Sequence, residues 1–160
     1  MGVDISINVK FLNKKNEEKY EVNISDQDNT LDSLLQGPTD NGQGLRYVNF
    51  GRDRNTLTDK ENEYIKIDHH PEHEEMMQTD ILDATKAYEI FEKIYSSLEI
   101  KKAKALSEEV KKFQNEADEN RRINKIREYF HFENSISTLL GILKTAAAIN
   151  YKVQIVEYYY

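Results

Sequence analysis

Apolar and polar residues alternate without a break from Val3 to Phe11. Val3, Ile5, Ile7, Val9 and Phe11 fall on one side; Asp4, Ser6, Asn8 and Lys10 fall on the other. Strand side chains point to opposite faces in turn, so this period of two predicts a half-buried strand. A polar turn over 13–18 follows, and Tyr20, Val22 and Ile24 resume the alternation, which predicts a β-hairpin. The stretch 25–44 is weakly patterned. Leu31, Leu34 and Leu35 fit one helical turn, and Gly37 to Gly44 has loop composition. Leu45 to Phe50 is apolar on both faces and reads as a short interior strand, and Tyr64 to Ile67 as another short strand or an ordered loop.

From about residue 78 the period changes. Ile81, Ala84, Tyr88, Phe91, Tyr95 and Leu98 step by three and four, one stripe of a helix. A second stripe runs Leu106, Val110, Phe113, Ala117, Ile123, Ile126 and Phe130, with Glu108–Lys112 and Asp118–Arg122 at i,i+4 spacing. A third runs Ile136, Leu139, Leu140, Leu143, Ala146 and Ala147, with Asn134 or Ser135 placed to cap its start and Asn150 its end. Tyr151, Val153 and Ile155 alternate again. Hairpin, three helices and closing strand give an α+β order: an antiparallel sheet of the N-terminal hairpin and the C-terminal strand, packed on about three helices. The expected organisation is a single α+β domain over 1–160, mainly β and loops over 1–70, helical over 71–149, with a terminal strand over 151–158. The last strand is expected beside the hairpin, because an isolated hairpin needs a third strand or a helix.

Bulk numbers narrow the classes. A chain of 160 residues buries roughly 70% of its unfolded surface, so no staple is required. The formal net charge is −7, which argues against a phosphate-backbone partner and in favour of a basic protein partner. The chain has no cysteine, which removes disulfides, thiolate catalysis and Cys-based zinc sites. Met1 leads directly into Val3 to Ile7 with no basic segment or apolar run of signal length. No stretch reaches about 18 consecutive apolar residues. The expectation is a cytoplasmic protein with no membrane span.

Three of the four histidines fall within Asp68-His69-His70-Pro71-Glu72-His73-Glu74-Glu75. Tetrahedral zinc wants three or four ligands, and Asp68, His69, His70 and His73 are the candidate set. His69 and His73 are four apart, which on a helix places them on one face. Pro71 lies between them, and proline is tolerated only in a helix's first turn. Pro71 is therefore expected to open a helix, leaving His69 and His70 in the preceding loop and the imidazoles apart. Glu72, Glu74 and Glu75 suit a helix N-terminus. Asp26, Asp28, Thr30 and Asp32 resemble the start of a calcium loop, but Leu31 and Gly37 stand where it needs Gly and Glu. Gly37 to Gly44 lacks the spacing of a phosphate loop. Nucleophilic catalysis has no recognisable residues, and no cofactor is implied.

Residues 68–83 hold six acids and no Lys or Arg. Glu72, Glu74, Glu75, Asp80 and Asp83 are thus candidate docking residues for a basic partner, or simply complement the basic segment 101–128. Arg52 and Arg54 flank Asp53 and are candidate ligands for a phosphate or carboxylate. Tyr158, Tyr159 and Tyr160 cannot all be core, because alternation splits them between faces; Tyr158 and Tyr160 are placed with the partner-binding residues. These tyrosines also leave room for a homodimer.

The opening Met1-Gly2-Val3-Asp4-Ile5 resembles the MG-x-D-I start of small uncharacterised phage and prophage proteins. Leu139-Leu140-Gly141-Ile142-Leu143 through Val153-Gln154-Ile155-Val156 resembles the layout at their other end. The resemblance covers about a sixth of the chain, carries no catalytic residue and implies a mobile-element setting. The main expectation is an acidic protein-binding protein, an inhibitor or immunity-type factor rather than an enzyme. A metal-dependent hydrolase built on the histidine cluster and a self-associating structural protein are the two alternatives.

Overall fold

Strand β1, Ile5–Leu12, alternates as its sequence dictates, and its apolar side is almost fully sealed: Ile7 and Val9 are 0% exposed. It pairs antiparallel with β2, Glu18–Asp26. The connecting turn closes through Asn16 N–H to Asn13 C=O (2.9 Å), while Asn13 Oδ1 accepts the amides of Lys15 and Glu17. Asn16 takes a positive φ of 62°, a conformation asparagine tolerates through its short polar side chain. The computed structural model describes residues 5–26, 35, 56–97 and 119–159. The readings made above for Leu31 and Leu34, for 37–50 and for the helical stripe over 106–117 lie outside those residues.

Helix α1, Asp59–Tyr64, begins at a capping box. Thr58 Oγ1 accepts the Glu61 amide (3.1 Å), and Glu61 Oε1 accepts the Thr58 amide (3.0 Å). Of the two readings of Tyr64–Ile67, a short strand or an ordered loop, the strand is not formed; Tyr64 ends this helix, and Ile65 and Ile67 are buried in the loop beyond it. Strands β3, Asp68–His70, and β4, His73–Gln78, form a second hairpin, and β5 is the two-residue strand Leu82–Asp83. Helix α2 covers 84–97. It buries Ala84, Ala87, Ile90, Phe91 and Ile94 at helical spacing. Asp83 Oδ1 caps it by accepting the Lys86 amide (2.9 Å).

Helix α3, Glu119–Ala148, is continuous. The break expected at Asn134–Ser135 is absent, and the second and third stripes are joined there. Asn150 does end the helix. Its φ is 59°, and the amides of Asn150 and Tyr151 reach back to the carbonyls of Ala147 (3.2 Å) and Ala146 (2.9 Å), the bonding of a Schellman motif. Strand β6, Lys152–Tyr159, then enters the sheet, whose order is β2-β1-β6-β4-β3 with β5 also on β6. All pairings are antiparallel. The α+β class is as the sequence indicates. The helical part expected from residue 71 begins at 84, however, after the short α1; 71–83 contributes a turn and strands.

One cluster of buried side chains joins the layers. Ile5, Ile7, Val9 and Phe11 of β1 and Val153 and Ile155 of β6 meet Phe91 and Ile94 of α2 and Ile136, Leu139 and Leu143 of α3. Burying each such aliphatic side chain is worth about 1.5–3 kcal/mol. Between β4 and β5 the register against β6 slips by one residue. Thr79 bridges the slip: its amide donates to Ile155 C=O (3.0 Å), and its Oγ1 accepts the Ile155 amide (3.0 Å) while donating to Asp80 C=O (2.8 Å). This is a bulge whose lost ladder bond is replaced by a hydroxyl.

Candidate functional site

The histidine-rich stretch is the β3–β4 hairpin. Pro71 and Glu72 form its turn. A proline here costs nothing, since its fixed φ suits a turn and its missing N–H is not needed by a ladder. The expected helix start at Pro71 is thereby overturned, and so is the expectation that this proline keeps the imidazoles apart. His70 and His73 are register partners across the turn, with ring centroids 4.7 Å apart and planes tilted by 37°. Glu72 N–H donates to His70 Nδ1 (3.1 Å), which requires that nitrogen to be unprotonated. His69 pairs instead with Met77 and is exposed. Asp68 is exposed and lies 3.7 Å from Lys66. Among the described residues no three of the His, Asp and Glu side chains converge as metal ligands would.

The two imidazoles form one wall of an open cleft of about 460 Å³. Glu75, Met76 and Gln78 of β4 join them. Lys10 of β1 and Tyr158 and Tyr159 of β6 complete the described lining. Lys10 lies 3.7 Å from Glu18. Tyr158 Oη donates to Glu21 Oε1 (2.6 Å) across β1. Glu21 in turn accepts from Asn8 Nδ2 (3.4 Å), and Asn23 Nδ2 donates to Asn8 Oδ1 (2.7 Å) and Ser6 Oγ (3.0 Å). This side-chain network runs over the polar sides of β2, β1 and β6 and fixes the Tyr158 ring. On the opposite side of β6, Tyr159 Oη donates to Glu157 Oε2 (3.0 Å) and lies 2.7 Å from Met77 Sδ. Glu157 is 0% exposed and aligned with Ile7 and Met77.

Glu72, Glu74 and Glu75 are all exposed on the hairpin, and none makes an ion pair among the described residues. Asp80 is exposed at the bulge. Asp83 serves as a helix cap, and its amide donates to Tyr64 Oη (2.7 Å). Of the residues proposed for docking, Glu75 and Tyr158 therefore line one cleft, Glu72 and Glu74 lie on the same hairpin as Glu75, and Asp83 has a structural task. Arg52, Arg54 and Tyr160 lie outside the described residues.

Sequence reading missed Lys10, Met76, Gln78 and Tyr159. Lys10 was in view as a polar-face residue of β1; what it faces depends on strand order, which alternation does not encode. Chemically the cleft offers a carboxylate with no ion pair among the described residues, two imidazoles, a phenol held by its own network, and a thioether. The Lys93 ammonium, followed by the Thr58 amide, holds the Glu61 carboxyl below its ordinary range, and burial pushes the Tyr64 phenol up. Comparison of the chain with protein-family models, curated proteins and solved structures finds no match.

Proposed function

We propose that this is a binding protein whose β3–β4 hairpin docks a basic segment of another protein. The observation that carries the reading is the placement of Glu72, Glu74 and Glu75. Three exposed carboxylates share one short hairpin beside a cleft, and none has a cation among the described residues. Unpaired charge of one sign steers a partner of the other and sets its orientation. Affinity then comes from groups that lose water on contact, and the cleft supplies the part-exposed His70 and Tyr158 for that. An inhibitor or immunity-type role, with the partner in a host cell, is the setting that the phage-like termini support.

Selection of random peptides on the immobilised full-length chain tests this. Lys- and Arg-rich peptides are expected to be enriched. Their Kd should weaken at least about tenfold in the Glu72→Lys/Glu74→Lys/Glu75→Lys variant, a change of about 1.4 kcal/mol. Their binding should also weaken as salt rises. Enrichment of neutral or acidic peptides, or unchanged capture by the triple variant, removes the reading.

A further inference from the structure

We infer that the cleft is an arginine socket: the basic partner is anchored by the guanidinium of an arginine seated over the paired strands β4 and β6. This rests on the docking role given above to the hairpin and names the group that the cleft receives.

Two features of the cleft, its carboxylate and its flat walls, favour a guanidinium over an ammonium, and two more suit either cation. Glu75 places a carboxylate in the lining, exposed and without a cation among the described residues. A guanidinium meets a carboxylate with two parallel N–H donors; an ammonium meets it as a point charge. The walls are flat π-systems. His70 and His73 stack at 4.7 Å, and Tyr158 is fixed by its 2.6 Å bond to Glu21. Planar, weakly hydrated guanidinium stacks on such faces, whereas a strongly hydrated ammonium keeps its water. His70 Nδ1 is occupied by the Glu72 amide, so in this arrangement the ring presents its face while that nitrogen carries no proton. Met76 supplies an adaptable apolar contact for the three methylenes of the stem.

Size and charge agree. About 460 Å³ falls in the ~300–1,000 Å³ range of sites that enclose a side chain or small ligand. The described lining contains one lysine, Lys10, and Glu18 lies 3.7 Å from it. Glu72 and Glu74 add negative charge on the same hairpin.

The test uses the full-length chain and three copies of one short peptide, carrying arginine, lysine or citrulline at the same positions. Binding is read by fluorescence anisotropy, and occupancy by the ¹³C-methyl signal of Met76. The arginine peptide is expected to bind at least about tenfold tighter than either of the others. It should shift the Met76 methyl, and Glu75→Gln should remove most of its advantage. Glu75 is exposed, so that variant keeps the fold, and an unchanged thermal transition verifies it. Equal binding of arginine and lysine peptides, still lost on reversal of the three glutamates, sinks the socket and leaves the docking reading standing. Tight arginine binding that leaves the Met76 methyl unmoved also sinks the socket. No binding of either cationic peptide sinks both.

Discussion

Thr79 shows how far one side chain can substitute for backbone. It is 2% exposed and stands where β4 ends and the bulge begins. Its hydroxyl accepts the Ile155 amide that the slipped register would otherwise strand. Valine has nearly the same shape and no acceptor. Thr79→Val should therefore cost about 1–3 kcal/mol, the desolvation penalty of a buried donor left unmade, and Thr79→Ser should recover most of it. Urea denaturation with an unchanged m-value checks this; a loss below about 0.5 kcal/mol would refute the hydroxyl's role. Residues like this one are hard to see in sequence. Thr79 falls in the stretch 71–149 whose sequence reads as helical, so a bulge there leaves no sign. Glu157 gives the opposite lesson, since it stands in the apolar phase of Val153 and Ile155 and was visible as a carboxylate aimed at the core.

At the scale of elements, Glu61 ties two helices together. Its Oε1 completes the α1 capping box, and its Oε2 meets Lys93 of α2 at 2.7 Å. The folded state therefore lowers its pKa. A lowered carboxyl pKa gives stability that is present above the unfolded value, about 4.3, and lost as pH falls through the folded value. Glutamine keeps the cap acceptor and loses the charge. Wild type should exceed Glu61→Gln by up to about 1 kcal/mol at pH 7, and the difference should shrink as pH falls below the unfolded carboxyl value; a difference that stays constant contradicts the ion-pair account. The elements legible in the sequence are chiefly those with one wet face and one dry face: the strand β1, α2 and the strand β6; β2 shows the same alternation although its Tyr20 and Val22 are exposed. The β3–β4 hairpin was not, because its first five β-strand residues are charged or imidazole side chains, and its two methionines are adjacent and both buried. Helix α1 was also missed, although the Thr58-x-x-Glu61 spacing announces its cap.

For the whole molecule, β6 is the organising strand. It holds β1 along one edge and β4 and β5 along the other, and its Val153 and Ile155 lie in the shared core. A chain ending before Lys152 is expected to lose the cooperative urea transition and its near-ultraviolet circular dichroism, while retaining part of the helical signal. Retention of a single sharp transition would show that the sheet assembles without β6. Placement of the terminal strand beside the hairpin followed from stability alone. The neighbour on its other side did not, because strand order is set by which edges close over the helices and leaves no local trace.

The pairing of β1 with β6 has a further consequence for synthesis. Both hairpins leave the ribosome well before β6 is made, and until then β1 and β4 each carry a bare row of peptide groups. Nascent chains in that interval are competent to zip onto one another, as unpaired strand edges generally are. The yield of correctly folded molecules should then be governed by translation speed and chaperone supply, with the strength of the finished fold a secondary influence.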